Sequence, residues 1–307
     1  MADLWTYKNI LPMLIAETGE PFDDPDYLFE LKFDGERCLL YADPNQSALQ
    51  NRRLLLLSPK FPELADLHRR VRVPCILDGE LVVLRNGKPD FEEIVRRSLM
   101  SNRIKVEFAA KQAPATYIAF DILYYQDELV TGRPLTERKK LLKKAVRENE
   151  RIAISRTVEE KGRAFFEAAK AMDLEGIVAK RKDSPYIMGT RSKDWIKIKN
   201  LQDDDFFVCG YIHKTDAVTS LALGQYEQGS LVYRGHVTMG VRGDGFRRIL
   251  RQKPAEECPF AEVPKGNEEA VWLSPELVCT VSFMERSAAG FLRHPVFKGL
   301  RTDKGPG

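Results

Sequence analysis

ELKFDGER, residues 30–37, decides how this chain is read. The segment alternates like a strand, with Leu31 and Phe33 facing one way and Glu30, Lys32 and Asp34 the other. Gly35 breaks the pattern, and Glu36 and Arg37 add two further charges. Two readings compete: a surface strand with paired charges, or a nucleophilic lysine held in a polar cleft.

Working outward, four more segments repeat the oddity. ILDGEL sets Glu80 behind an Asp-Gly pair in an apolar strand. FDILYY places Phe120 and Asp121 inside another, and EGIVAK carries Glu175 and Lys180 around an apolar centre. In WIKIK, Ile196 and Ile198 share one face, and Trp195, Lys197 and Lys199 the other. Each alone reads equally well as an ordinary amphipathic strand; their joint occurrence, in order, does not.

The 307 residues allow one large or two ordinary domains, and 43% hydrophobic with 30% charged residues is a globular composition. No run reaches the length of a membrane span, and the N-terminus lacks a signal-peptide pattern. A cytosolic protein is the expectation. The five cysteines are scattered without a CxxC pair, which predicts reduced thiols. Net charge is +3, but RRSLMSNRIK (96–105), ERKKLLKKAVR (137–147) and FRRILRQK (246–253) concentrate the cations. These runs read either as solvated helix faces or as a track for nucleic acid.

Predicted helices begin at Phe61 (with Pro62 in the first turn), after Thr136 as N-cap, and over Val158–Met172. The second of these is assigned Leu141, Leu142, Ala145 and Val146 as its apolar stripe. Strands are predicted at LFELKF, CILDGELVVL with an Asn86-Gly87 hairpin turn, TYIAFDILYY, GIVAKR and DWIKIKN. Beyond LQDDD (201–205), short strand-like runs and Gly-containing turns dominate, with GFRRILRQ as the clear helix. The expectation is an α+β domain at 1–202 and a small all-β domain at 203–307, in the size range of an oligonucleotide-binding fold.

KFDGER matches the KxDGxR signature of the ATP-dependent DNA ligases. FDILYYQDELVTGRPLTERKKLL, EGIVAKRKDSPYIMGTRSKDWIKIK and WLSPELVCTVSF…LRHPVFKGLRTDK resemble the ligase domain of bacterial non-homologous end-joining ligases. The resemblance covers most of the chain and implies an α+β nucleotidyltransferase (adenylation) domain of mixed and antiparallel sheets, then an OB-fold domain. It implies a three-step reaction. Lys32 attacks the α-phosphate of ATP, AMP passes to the 5′-phosphate of a nick, and the 3′-hydroxyl displaces it.

Carried over by position, the resemblance has Glu30 contacting adenine, Phe120 stacking on it, and Arg37 and Arg52 holding phosphate or ribose. Arg52 is also a candidate for the nick 5′-phosphate. Glu80 would bind ribose or a divalent metal, and Glu175 a divalent metal, Mg²⁺ or Mn²⁺. Arg191, Lys197 and Lys199 would meet the α-phosphate. Arg301, Asp303 and Lys304 would orient the leaving pyrophosphate, and Lys180 is structural or a DNA contact. The implied partners are nicked or broken double-stranded DNA, a Ku-like end-binding protein and a separate polymerase, with a monomer expected and no membrane.

Only 31 residues precede Lys32, too few for a nicotinamide-binding domain, so ATP is the expected cofactor. One stretch departs from the pattern. Where end-joining ligases carry a polar Ser-Arg-Asn-Gly type segment, this chain has NRRLLLLSPKFPEL (51–64), which leaves Arg53 competing with Arg52. Its leucines read as a buried strand or as an apolar patch facing a partner. An RNA ligase, a GTP-using capping enzyme and a nick- or end-binding protein without catalysis stay open as rivals.

Overall fold

The computed structural model describes residues 8–215, 218–241, 243–287 and 289–301, and the chain divides into two compact units at Asn200–Leu201. In the first unit two sheets carry the residues of interest. One has the order β1-β12-β11-β2-β10, comprising β1 (Leu14–Thr18), β2 (Asp24–Leu31), β10 (Thr157–Glu160), β11 (Gly176–Arg181) and β12 (Arg191–Lys199). β1 and β12 are parallel and the other pairs antiparallel, so the sheet is mixed.

The second sheet orders β4-β3-β5-β7-β8, comprising β3 (Glu36–Ala42), β4 (Ser47–Asn51), β5 (Cys75–Arg85), β7 (Ala115–Tyr125) and β8 (Glu128–Leu129). β6 (Lys88–Pro89) pairs with β5, and β9 (Ile152–Ile154) runs parallel to β7. The β5–β6 turn holds Asn86 and Gly87 at positive φ, the conformation that the Asn-Gly pair foretells.

Alternation on these strands builds three apolar layers. Leu39, Tyr41, Ile76 and Leu123 of the second sheet meet Leu28, Val178 and Trp195 of the first. The outer face of the first sheet packs Phe29, Ile177 and Ile198 against Phe166 and Ala169 of the Gly162–Ala171 helix. The other face of the second sheet is covered by the Pro62–Arg70 3-10 helix and by helices α1 (Phe91–Leu99) and α3 (Leu135–Ala145), while α2 (Arg103–Gln112) packs on the 3-10 helix.

Three local expectations are corrected. The helix expected from Phe61 is of the 3-10 type and starts at Pro62, with Phe61 as its N-cap. The helix expected from Val158 begins at Gly162, because Thr157–Glu160 is β10 paired with β2 and Glu160 turns at φ 64°. α3 starts at Leu135 behind Pro134, whose fixed φ suits the entry, and Thr136 lies inside it.

The second unit is an antiparallel sheet ordered β15-β14-β13-β17-β18: β13 (Gln202–Thr215), β14 (Val218–Glu227), β15 (Ser230–Gly240), β17 (Val278–Phe283) and β18 (Val296–Leu300). β16 (Val271–Trp272) pairs with β13, and a short helix, Asp244–Leu250, contributes Phe246 and Ile249 to its core. This is the mostly-β second domain that the texture of the sequence announces. Among the described residues no helix is long and apolar enough to cross a membrane.

Candidate active site

Lys32 stands where β2 ends. Its backbone N–H donates to the Gly176 carbonyl at 2.9 Å, and Leu31 pairs with Ile177, so β11 fixes the residue before any side chain is considered. Gly176 is required there. Its φ is +132°, and a β-carbon would lie 2.1 Å from the Ile198 carbonyl oxygen. The Lys32 ammonium reaches Glu175 at 2.6 Å, with the lysine side chain 23% exposed and the carboxylate 4%.

Beside Lys32 lies a cleft of about 210 Å³ between the two sheets. Glu30, Arg37, Glu80, Phe120, Lys180 and Trp195 line it together with Lys32. Arg37 and Glu80 face each other across β3 and β5. Burial pushes the Glu80 carboxyl up to about 8 against the lowering pull of Lys32 and Arg37. Glu175 is also raised, by burial first, against the Lys32 charge. Among the described residues Glu80 has no hydrogen-bond or ion-pair partner.

One wall of the cleft sets cations against aromatic rings. Lys180 lies 4.5 Å from the Phe120 ring centroid and 4.1 Å from that of Trp195, and Arg37 lies 5.2 Å from Phe120. Burial lowers Lys180 to about 8 although Glu30 opposes it. Arg37 forks onto Asp78 at 3.0 and 2.6 Å, and Tyr186 donates to the same carboxylate at 2.6 Å. Burial disfavours the Arg37 charge, but Asp78 overrides it and the net shift is upward. This brace fixes the guanidinium in the cleft, as bidentate geometry does.

Lys199 is lowered by burial, opposed by Glu175 and assisted by Lys32 and Lys197, which puts these lysines in one electrostatic neighbourhood. Other expected residues stand apart. Arg52 and Arg53 are exposed in the turn after β4 and do not line the cleft. Arg191 is exposed at the start of β12, 3.5 Å from the Ile15 carbonyl. Arg301 pairs with Asp205 at 3.2 Å within the second unit, while Asp303 and Lys304 lie outside the described residues. Sequence reading missed Asp78, Tyr186 and Lys139 as supports. A lone Asp in the apolar run ILDGEL was the available signal, since a buried carboxylate demands a partner.

Among the described residues no group of three or more His, Cys, Asp or Glu side chains gathers at one point; the carboxylates of Glu80 and Glu175 both feel the Lys32 charge, and both are raised by burial.

A family model described as the ATP dependent DNA ligase domain matches residues 12–199, and one described as the ATP dependent DNA ligase C terminal region matches 214–304. The SPbeta prophage-derived DNA ligase-like protein LigB of Bacillus subtilis is 31% identical over 95% of this chain and 99% of its own. DNA ligase C1 of Mycolicibacterium smegmatis is 31% identical over 99% and 93%. The multifunctional non-homologous end joining protein LigD of Pseudomonas aeruginosa is 29% identical over 97% of this chain, which spans 36% of that longer protein. A solved mycobacterial DNA ligase D complexed with ATP and MES superposes with a TM-score of 0.57 at 26% identity, over 97% of both chains. With the signature lysine seated in a cleft between two sheets and both regions matched in order, the chain belongs to the ATP-dependent DNA ligase family.

Proposed function

We propose that this ATP-dependent DNA ligase seals nicks in double-strand-break or nick repair, with Lys32 as the nucleophile that takes AMP. The observation that carries this is the placement of Lys32 at a cleft walled by Phe120, Trp195 and the charged side chains of Glu30, Arg37, Glu80 and Lys180, within 2.6 Å of Glu175. An amine attacks phosphorus only after losing a proton. The pair with Glu175 stabilises the ammonium form, so it is the positive charge of Lys197, Lys199 and a divalent ion at the site that would favour loss of the proton. The Lys32 nitrogen then bonds the α-phosphorus, and pyrophosphate leaves with the electron pair of the broken P–O bond.

Phe120 and Trp195 offer ring faces and Glu30 an acceptor near adenine, while Arg37 holds phosphate or ribose. Lys197, Lys199 and Arg191 supply positive charge for the α-phosphate. Arg301, with Asp303 and Lys304, serves the leaving pyrophosphate, and Arg52 a phosphate of the nucleotide or nick. A divalent ion held by Glu80 and Glu175 would supply charge neutralisation. The domain division at 202/203, monomeric state, cytoplasmic and nucleoid location, and cooperation with a Ku-like protein and a separate polymerase belong to the same reading.

The test is incubation with Mg²⁺ and ATP labelled at the α-phosphate, beside Lys32→Ala. Label retained on the wild type alone through a denaturing gel, and chased onto nicked DNA, is expected. Absence of label even after pyrophosphate has stripped any resident AMP would end the proposal. Substituting GTP, or nicked RNA, separates the capping and RNA-ligase alternatives.

A further inference from the structure

The loop after β4 remains unexplained by adenylation. Leu54, Leu55 and Leu56 are 40%, 59% and 52% exposed in succession, while Leu57 turns into the core. The loop is fastened, not loose. Asn51 Oδ1 accepts from the N–H groups of Arg53 and Leu55 at 2.9 and 3.0 Å, and Gln50 Nε2 donates to the Leu54 carbonyl at 3.2 Å. Leu54 sits at φ +63°, a left-handed conformation that penalises a leucine and suits glycine. A rigid turn thus spends strain and exposed apolar surface on presenting three leucines.

Its position and charge indicate the partner. Asn51 donates to Glu36 at 2.9 Å, and Ser98 of α1 donates to the same carboxylate, four residues beyond Lys32. Asn51 is paired with Cys38, one residue along β3 from Arg37 of the cleft. Arg52 and Arg53 lead into the leucines, are exposed, and have no ion-pair or side-chain hydrogen-bond partner among the described residues. A surface with bare cations at its base and an apolar tip complements a ligand with anions outside and ring faces within. That is a nucleic-acid duplex, at a point where its base stack is interrupted.

We propose that Leu54–Leu56 form an apolar wedge that packs against the base step bordering the nick, with Arg52 and Arg53 meeting the flanking phosphates. The proposal rests on the ligase reading, so the test separates the two. Two variants are compared with wild type: Leu54→Gly, and the double Leu55→Ser/Leu56→Ser. Autoadenylation from α-labelled ATP without DNA should be unchanged in both; its absence from the wild type would overturn the ligase reading and the wedge with it. A nicked duplex carries 2-aminopurine at the base beside the nick, and its emission rises on unstacking.

Wild type should raise the emission. The double variant should abolish the rise and bind the nick about tenfold more weakly, with a smaller loss on intact duplex. Leu54→Gly should melt higher by roughly 2 °C because strain is relieved, yet bind the nick more weakly. A merely structural loop would show the first of those effects without the second. Unchanged emission with wild type, or variants that bind and seal naked nicked DNA like wild type, would overturn the wedge and leave the tip to a protein partner.

Discussion

Lys139 on α3 reaches Glu30 at 2.5 Å, and Lys180 approaches the same carboxylate oxygen at 3.2 Å, all three side chains being nearly sealed from solvent. Two ammonium groups therefore share one carboxylate, two residues before the nucleophile. The anion is the member that cannot be spared. Glu30→Gln leaves two buried cations side by side and should destabilise the protein by about 3–5 kcal/mol. Lys139→Met leaves a balanced Glu30–Lys180 pair and should cost no more than about 1 kcal/mol. Urea unfolding of both variants checks the ranking; equal losses would contradict the shared-carboxylate account.

Arg138, the neighbour of Lys139, makes a second prediction. It forks onto Asp121 at 2.9 and 2.8 Å and donates to the Arg133 and Ser184 carbonyls, with both side chains of the pair fully buried. Arg138→Met should cost about 3–5 kcal/mol by orphaning Asp121. Adding Asp121→Asn should recover part of that loss, a coupling that a double-mutant cycle measures. Strictly additive losses would mean the two groups do not stabilise one another.

These same residues mark where the sequence stopped being legible. Strands such as ILDGEL and GIVAKR were readable because alternation and the short motifs are local. The run ERKKLLKKAVR reads as a solvated face or a nucleic-acid track because charge counts carry no direction. Yet Leu135, Arg138, Lys139, Leu142 and Ala145 form the inward stripe at helical spacing, and all five are buried. The missing signal was the pair of acids, Glu30 and Asp121, that lie far away in sequence. Arg97, in the run assigned to DNA or solvent, is likewise buried against Glu63. Lys140, Lys143 and Lys144 are exposed, whereas Arg96, Arg103 and Arg247 of these runs pair with Glu93, Glu107 and Asp244.

Glu80 gives the pH dependence. Its carboxyl moves from an ordinary 4.5 to about 8 on folding, chiefly through burial. Between those values the folded chain keeps a proton that the unfolded chain has released, so raising the pH through this window favours unfolding. Glu80→Gln removes the penalty. In the presence of a chelator, the variant's stability advantage should widen from pH 5 to pH 8 and then level, reaching a few kcal/mol. Mg²⁺ should raise the melting temperature of wild type at pH 8 and leave the variant unmoved. A gap independent of pH would show that Glu80 is not held protonated.

Gly35 closes the distance on which the site depends. Its backbone passes so near β5 that a β-carbon would lie 2.1 Å from the Leu81 carbonyl oxygen and 3.0 Å from Glu80 Cγ. No positive φ is involved, so the glycine is there for approach alone. An alanine must push the Lys32–Gly35 turn off β5, and since β5 also carries Glu80, nucleophile and carboxylate part company. Gly35→Ala should cost about 1–3 kcal/mol from overpacking. It should slow adenylation by roughly a hundredfold, the scale set by ångström misplacement of reacting groups. Gly132→Ala, where no atom lies within 4 Å of the added carbon, should change neither quantity. Normal adenylation by Gly35→Ala would mean that the turn relaxes without moving Lys32, and that contact with β11 alone holds the nucleophile in register.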